Sequence, residues 1–326
     1  MERQGLAPTF LDGLAADLGG KKARAFFDRC EVMLPWDELA APLAGIFVDS
    51  PCGGRPHFPV VMFLKILLAQ KWFNLSDPGA EEALADRISL RRFVGLSLED
   101  VTPDETTIGD FRRALLAKEL LADLFAKVNA FLDAHGLIIQ EGTLVDATIV
   151  EAPLGGKRED DSSTADPCAT HTVKAGRSYF GYKAHIATDR RGLITDYVFD
   201  TAAPHDSRHI DQLTAQEQTA VYADSAYMDQ KRKATLESRG VFCGIVYRRV
   251  PGQKELTAQQ RSHNHFVAGI RAFVEHPFAW MSQMGYGKTR YRGLRRNALD
   301  FGLTALAYNL KRALSLVSIL RPLAVA

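Results

Sequence analysis

The stretch GTLVDATIV, residues 142–150, decides the fold of this chain. It is short and rich in β-branched residues, and it lies between a glycine and Pro153, a pattern that is typical of a β-strand. Asp146 interrupts its apolar run. Burying a carboxylate costs free energy unless it pairs with a cation, a hydrogen-bond donor or a metal ion. The same segment therefore predicts a strand and a group that needs a partner.

Four similar segments follow this strand, and together they predict a mixed sheet. They are YFGYKAHIATD (179–189), LITDYVFDT (193–201), AVYADSAY (220–227) and GVFCGIVYRR (240–249). Polar helical patterns at 206–218 and 229–239 separate the later strands, and longer helices are predicted at 257–278 and from 299 onward. Three consecutive strands followed by alternation with helices predict an α/β fold, a mixed sheet flanked by helices. Residues 151–178, which lack an apolar period, are predicted to form an exposed loop.

The part of the chain before Gly136 has the periodicity of helices. A Leu-rich run at 59–72 is too long for a strand, and Asp77-Pro78 is typical of a helix start. A third helix is predicted from Thr107, where a capping-box spacing precedes a long apolar stripe. We therefore predict an all-helical N-terminal domain over 1–136 and a second domain, which ends in a C-terminal helix, over 137–326.

Composition sets limits on the class of protein. The 326 residues are 46% hydrophobic and 24% charged, which excludes a disordered chain, a collagen-like fibre and a pure coiled coil. Forty basic residues balance thirty-nine acidic ones, so any signal for a polyanion must be local. Four scattered cysteines, the lack of a signal-like start and apolar runs shorter than the ~20 residues of a membrane span favour a cytoplasmic protein.

Two more carboxylates extend the chemistry of Asp146. Asp224 stands at the end of a predicted strand, and Glu275 lies on a predicted helix four residues after Arg271, on the same helical face. Each has an ordinary alternative, because an aspartate can simply cap a strand and Glu275 can pair with Arg271 at the surface. Together the three would supply the oxygen ligands that Mg²⁺ prefers.

A basic segment follows Glu275 directly. Between residues 276 and 297 the sequence has no acidic residue, and aromatic side chains alternate with cationic ones in a Gly-rich context. Guanidinium groups and aromatic planes suit phosphate contacts and base stacking. The segment predicts a nucleic-acid interface made of Lys288, Arg290, Arg292, Arg295 and Arg296, with Arg271 beside it.

Several motifs of the chain resemble those of bacterial DDE-type insertion-sequence transposases, in particular the insertion sequence five family. They are VDATIVEAP (145–153), FGYKAHIATDRRGLI (180–194), TAAPHDSRHID (201–211), VYADSAY (221–227) and the run 271–297. Segments 75–96 and 103–116 resemble the N-terminal domain of the same family. The resemblance covers residues 56–311, nearly the whole chain.

The resemblance implies an RNase H-like catalytic domain in which Asp146, Asp224 and Glu275 bind two Mg²⁺ ions, with Mn²⁺ able to substitute. It also implies that the partner is double-stranded DNA, which includes the terminal inverted repeats and the target DNA. A homodimer or higher oligomer is expected to form on this DNA, and no membrane is expected to be involved. Arg271 matches the arginine of the family's Tyr, Arg, Glu, Lys signature. Ala268 and Ser282 stand where the tyrosine and the lysine would fall.

Other interpretations stay open at this point. An RNase H-like nuclease that never joins strands, or a non-catalytic DNA-binding protein derived from a transposase, would share most of these features. The sequence also offers two pairs with the spacing of half a zinc site each, Cys168 with His171 and His205 with His209. The helix at Thr107 resembles a DNA-reading helix, carrying Arg112 and Arg113. Lys183 and His185 share one strand face and would either approach the catalytic site or belong to the core.

Overall fold

The computed structural model describes residues 21–47, 56–156, 163–174, 176–217, 219–249 and 252–320. The chain divides into two compact units, Met1–Phe131 with Leu310–Ala326, and Leu132–Asn309. The predicted boundary at residue 136 assigned the whole C-terminal helix to the second unit, whereas the structure divides it. This helix, Leu294–Leu320, is 27 residues and therefore about 40 Å long, and Arg29 of the first unit donates a hydrogen bond to its Leu314 carbonyl at 2.7 Å.

The first unit is helical, as predicted, but the helix predicted from Thr107 is divided in two. Its helices are α1 Lys21–Met33, α2 Trp36–Leu39, α3 Val60–Phe73, α4 Asp77–Asp86, α5 Ile88–Val94, α6 Glu105–Ala117 and α7 Leu121–Ala134, the last of which continues into the second unit. The helix predicted from Thr107 ends before Glu119, which has a φ of 56°. Leu115 and Leu124 are both buried, and in one continuous helix nine residues would place them about 180° apart. The turn at Glu119 lets both enter the core.

A half-buried ion pair connects α3, α4 and α6. Ser76 rather than Asp77 caps α4, so the Asp77 carboxylate is free to accept two hydrogen bonds from the Arg112 guanidinium, each 2.6 Å long. Arg112 also donates to Gln70 at 2.8 Å. Burial alone would raise the pKa of Asp77, but the hydrogen bonds from Arg112 and Gln70 lower it. Arg112 therefore stabilises the helical unit, and this contact does not support a role in reading DNA.

The Arg112–Asp77 pair gives a prediction about stability. Arg112→Ala leaves a half-buried carboxylate without its main partner, so we expect a loss of about 2 kcal/mol in the free energy of unfolding. The neighbouring Arg113 has a side chain that is 66% exposed and pairs with Asp110 on the same helix. Arg113→Ala is the matched control and should change stability by less than about 0.5 kcal/mol. Urea unfolding measures both, and equal effects of the two substitutions would contradict the role given to Arg112.

The second unit is built on a six-stranded sheet. Its elements are β1 Thr143–Glu151, β2 Thr170–Lys174, β3 Arg177–Thr188, β4 Ile194–Thr201, α8 Ile210–Leu213, β5 Ala220–Ala223, α9 Gln230–Ser238, β6 Phe242–Ile245, α10 Ala258–Arg271, α11 Glu275–Gln283 and α12 Leu294–Leu320. β1, β3 and β4 form an antiparallel meander, and β5 and β6 continue the sheet parallel to β1. This order, β4-β3-β1-β5-β6, is that of an RNase H-like fold. The predicted α/β class is thereby confirmed.

Strand β2 was not predicted, because its residues lie in the segment interpreted as an exposed loop. It pairs with the first half of β3, while β4 pairs with the second half of the same strand.

The two faces of the sheet have different partners. One carries Val145, Ala187 and Val221 in an apolar core. On the other face, Phe301 of α12 packs against the rings of Tyr197 and Phe199. None of the helices in the described ranges is long and apolar enough to span a bilayer.

Candidate active site

Strand pairing places Asp146 and Asp224 side by side. β1 and β5 run parallel with Val145 opposite Ala223, so the next residue of each chain segment is an aspartate. Val145 and Ala223 both pack in the same apolar core, and side chains alternate along a strand. Asp146 and Asp224 therefore point to the other face. Neighbouring strands are about 4.8 Å apart, which is close enough for two carboxylates to share a cation.

Each aspartate keeps most of its acceptor capacity for another partner. Asp224 ends β5 and caps the 3₁₀ turn Ser225–Tyr227, with its carboxylate accepting the Ser225 N–H. Asp146 accepts the N–H of Ala147 at 2.8 Å. An ionised carboxylate has about four acceptor sites. The remaining oxygen lone pairs of both residues are thus available to a ligand.

The electrostatic environment of Asp146 favours the binding of positive charge. Burial raises the pKa of Asp146, and the negative charge of Asp224 raises it further. The Ala147 N–H and the positive charges of Arg271 and Lys174 act in the opposite direction. The closest of these charges is the Arg271 guanidinium at 3.9 Å from Asp146, too far for a hydrogen bond. The Nε of Arg271 is buried without a hydrogen-bond partner, so the polar groups here are incompletely satisfied.

The strand register brings together two of the three predicted carboxylates, Asp146 and Asp224. Glu275 opens α11 with an exposed side chain, and Arg271 forms its ion pair with Asp146 instead. A 3₁₀ turn, Ala272–Val274, separates the two residues and packs against β1 and β3. Among the described residues, no three His, Cys, Asp or Glu side chains converge as a metal-binding group.

The donor set nevertheless fits a hard divalent cation. Mg²⁺ is commonly bound by one or two carboxylates, with water and substrate phosphates completing its octahedron. Asp146 and Asp224 supply such a pair. The lone pairs left over on both aspartates and the raised pKa of Asp146 are consistent with a cation-binding site.

The predicted basic segment runs beside the far end of β1. The N–H of Glu151 bonds to the Gly287 carbonyl, and the N–H of Thr289 bonds to the Glu151 carbonyl, both at 2.9 Å. Arg292 also has a structural contact, donating to the Ala165 carbonyl at 2.6 Å. The side chains of all five predicted basic residues of the segment are exposed: Lys288, Arg290, Arg292, Arg295 and Arg296.

A partly open strand edge lies between the aspartates and this segment. β5 pairs with β1 only from Thr143 to Val145, and the basic segment joins β1 at Glu151. Between these points, no strand within the described ranges pairs with that edge of β1. Residues 146–149 are half-buried there. The arrangement forms a path along β1 that leads from the paired carboxylates toward cationic side chains.

Lys183 and His185 lie on the opposite face of the sheet from Asp146. His185 sits opposite Ala147 in the β1–β3 register, one position away from the partner of Asp146. Lys183 pairs with Asp206 at 2.8 Å, and the His185 ring lies 4.8 Å from that of His209. Burial lowers the pKa of His185 to about 4. Its Nδ1 is buried and has no hydrogen-bond partner among the described residues. The core interpretation of His185 is therefore the one supported.

The zinc-like spacing does not correspond to a metal site. His171 packs on the Phe180 ring at 4.9 Å, and His205 bonds to Ser207 at 2.8 Å. His209 faces Asp200 at 3.2 Å. Together with Cys168 these residues form no metal-binding group in the described part of the chain.

Comparison with known proteins matches the chain to two transposase families. A family described as transposase DDE domain matches residues 139–310, which contain all three predicted carboxylates. A second, described as transposase domain (DUF772), matches residues 19–114 of the helical part. Among solved structures, the chain is similar to the cryo-EM structure of piggyBac transposase synaptic complex with hairpin DNA, at 10% sequence identity and a TM-score of 0.46. The alignment covers 94% of this chain and 77% of the chain in that structure.

Proposed function

The chain belongs to the transposase DDE domain family, and on that premise we propose that it is the transposase of an insertion sequence. In this proposal it cuts DNA at the terminal inverted repeats of the element and joins the freed 3′-hydroxyl ends to target DNA. A bacterial origin and membership of the insertion sequence five family belong to the proposal, supported by the motifs at 145–153 and 271–297. So does a homodimer or higher oligomer that holds two DNA ends.

The observation that carries the proposal is the pairing of Asp146 with Asp224 on one face of the sheet, next to Arg271. Asp146 is held in mid-strand and Asp224 at a strand end, so neither depends on a long loop for its position. Glu275, on the adjacent helix, is the proposed third ligand. Bound Mg²⁺, in two ions about 3.5–4 Å apart or with Mn²⁺ in their place, would supply activation of the attacking oxygen and stabilisation of the leaving oxygen at phosphorus.

The protein's own residues supply binding and orientation. The open edge of β1 leads from Asp146 to Lys288, and we propose that the DNA strand to be cut follows this path. The exposed basic residues of 288–296 would bind phosphates, which positions DNA without reading its sequence. Arg271 is proposed to contact DNA near the scissile phosphate, since its guanidinium is already next to Asp146 and has an unused Nε–H.

Incubation of the protein with a labelled duplex that carries one element end, a supercoiled target plasmid and MgCl₂ tests the proposal. We expect a nicked duplex first and then a labelled product joined to the plasmid, and EDTA should abolish both. Nicking without joining would favour the alternative of an RNase H-like nuclease. Absence of cleavage with either Mg²⁺ or Mn²⁺, while end DNA is still bound, would favour a non-catalytic DNA-binding protein derived from a transposase.

A further inference from the structure

A two-stranded ribbon projects from the catalytic sheet beyond the end of β1. β3 pairs with β1 only as far as Gly181, and the Ala152 N–H makes one more bond to the Phe180 carbonyl at 2.8 Å. The first residues of β3, Arg177–Phe180, form their ladder with β2. Gly181 allows the close approach at the ribbon's base, because a Cβ there would lie 2.1 Å from the Val150 carbonyl oxygen. We call β2 with Arg177–Phe180 the ribbon.

The ribbon is exposed and cationic. The sequence has no acidic residue from 167 to 188. Lys174 and Arg177, paired in register at the outer end of the ribbon, both have exposed side chains. The Arg177 guanidinium lies 5.1 Å from the centroid of the Tyr179 ring, which holds the planar cation in place. A two-stranded ribbon also has the width that the major groove of duplex DNA admits.

The start of the ribbon is also connected to the basic segment. Asp166, four residues before β2, is buried and accepts hydrogen bonds from the Gly293 N–H at 2.8 Å and the Tyr182 hydroxyl at 2.7 Å. Arg292 donates to the neighbouring Ala165 carbonyl. These contacts hold the residues that lead into the ribbon against the basic segment.

We propose that the ribbon is a second DNA-binding surface, with Lys174 and Arg177 contacting backbone phosphates of the duplex that flanks the bond to be cut. This inference rests on the proposed function and adds a contact outside the basic segment. The occupant is duplex DNA rather than protein, because the outer end presents two cations, no carboxylate and an arginine held on an aromatic ring.

The test is the salt dependence of binding to end-containing DNA by Lys174→Ala/Arg177→Ala. Each lost phosphate contact removes about 0.9 from the slope of log affinity against log salt, so we expect the slope to fall by about 1.8. Lys231→Ala/Lys254→Ala removes the same charge from exposed positions elsewhere in the unit and serves as the matched control. Its slope should equal that of the wild type, and thermal unfolding checks that both variants fold.

The outcomes separate this inference from the proposed function. Wild-type nicking of the labelled duplex is measured first, and its absence would count against the proposed function. If the wild type nicks DNA, an unchanged slope for the ribbon variant overturns the inference, and so does an equal fall in the control variant. A change in oligomeric mass without DNA, with the slope unchanged, would also overturn it and assign the ribbon to contacts between copies of the chain.

Discussion

Asp146→Asn and Asp224→Asn are each expected to lower the rate of strand nicking at least about a thousandfold, which corresponds to about 4 kcal/mol of transition-state stabilisation. The two side chains are neighbours on one sheet face, and no other carboxylate in the described ranges completes a metal-binding group with them. Asparagine keeps the shape but loses the charge that attracts a divalent cation. Binding to end-containing DNA should survive, since neither residue is cationic. Gel-based nicking and binding assays measure the two effects separately.

The matched control for this prediction is Asp196→Asn. Asp196 lies on β4 opposite Ala187, so its exposed side chain is on the other face of the same sheet. The chemical change is identical, and nicking should stay within about twofold of wild type. Retained nicking by both Asp146→Asn and Asp224→Asn would refute the assignment of the active site. A comparable loss in the control would indicate a general effect of charge on the sheet.

Stability distinguishes a functional role of Asp146 from a structural one. Burial raises the pKa of Asp146 in the folded state above its usual value of 3.8, so folding disfavours the ionised form. The contribution of Asp146 to the free energy of unfolding is fully present below pH 3.8, where the carboxyl group is neutral in both states. This contribution is lost as the pH rises through the pKa of the folded state. Asp146→Asn, which stays neutral, should therefore be at least as stable as wild type at pH 7. This advantage should disappear in acid, as followed by denaturant unfolding at several pH values.

Much of the sheet could be predicted from the sequence because its strands are apolar and β-branched. β2 was missed since THTVK is exposed along most of its length and has no buried face to impose a period. The adjacency of Asp146 and Asp224 was expected from the family resemblance, whereas the reason for it, the Val145–Ala223 register, is a property of pairing between distant segments. The same holds for His185, whose face is fixed only by the β1–β3 register.

The position of Glu275 shows where reasoning from local sequence fails. Four residues of α-helix would place Arg271 and Glu275 about 40° apart around the axis, on one face. The backbone between them is tighter, with ψ values near −20° at residues 271, 272, 274 and 275. At about 120° per residue, as in a 3₁₀ helix, the separation becomes about 120°. The periodicity of the sequence is compatible with both geometries, and packing of Val274 into the sheet favours the second.

Glu275→Gln is nevertheless expected to reduce nicking about a thousandfold, like the aspartate variants. Conversion of residues 272–274 to α-helical geometry would rotate Glu275 by up to about 80° toward the face that carries Arg271 and Asp146. Binding of Mg²⁺ at Asp146 and Asp224 would favour that rotation, because the cation supplies the positive charge that the exposed Glu275 carboxylate otherwise lacks. Short 3₁₀ segments within helices often mark such hinges.

The control is Glu255→Gln, which removes the same charge from a side chain that is 84% exposed just before α10. Its nicking rate should equal that of wild type, and both variants should bind end-containing DNA at least as tightly as wild type, since each loses a negative charge. If Glu275→Gln nicks DNA within about threefold of wild type while Asp146→Asn does not, the catalytic carboxylates are two rather than three. The 3₁₀ turn would then be a packing feature of the sheet face, and Glu275 a solvent-exposed residue without a part in catalysis.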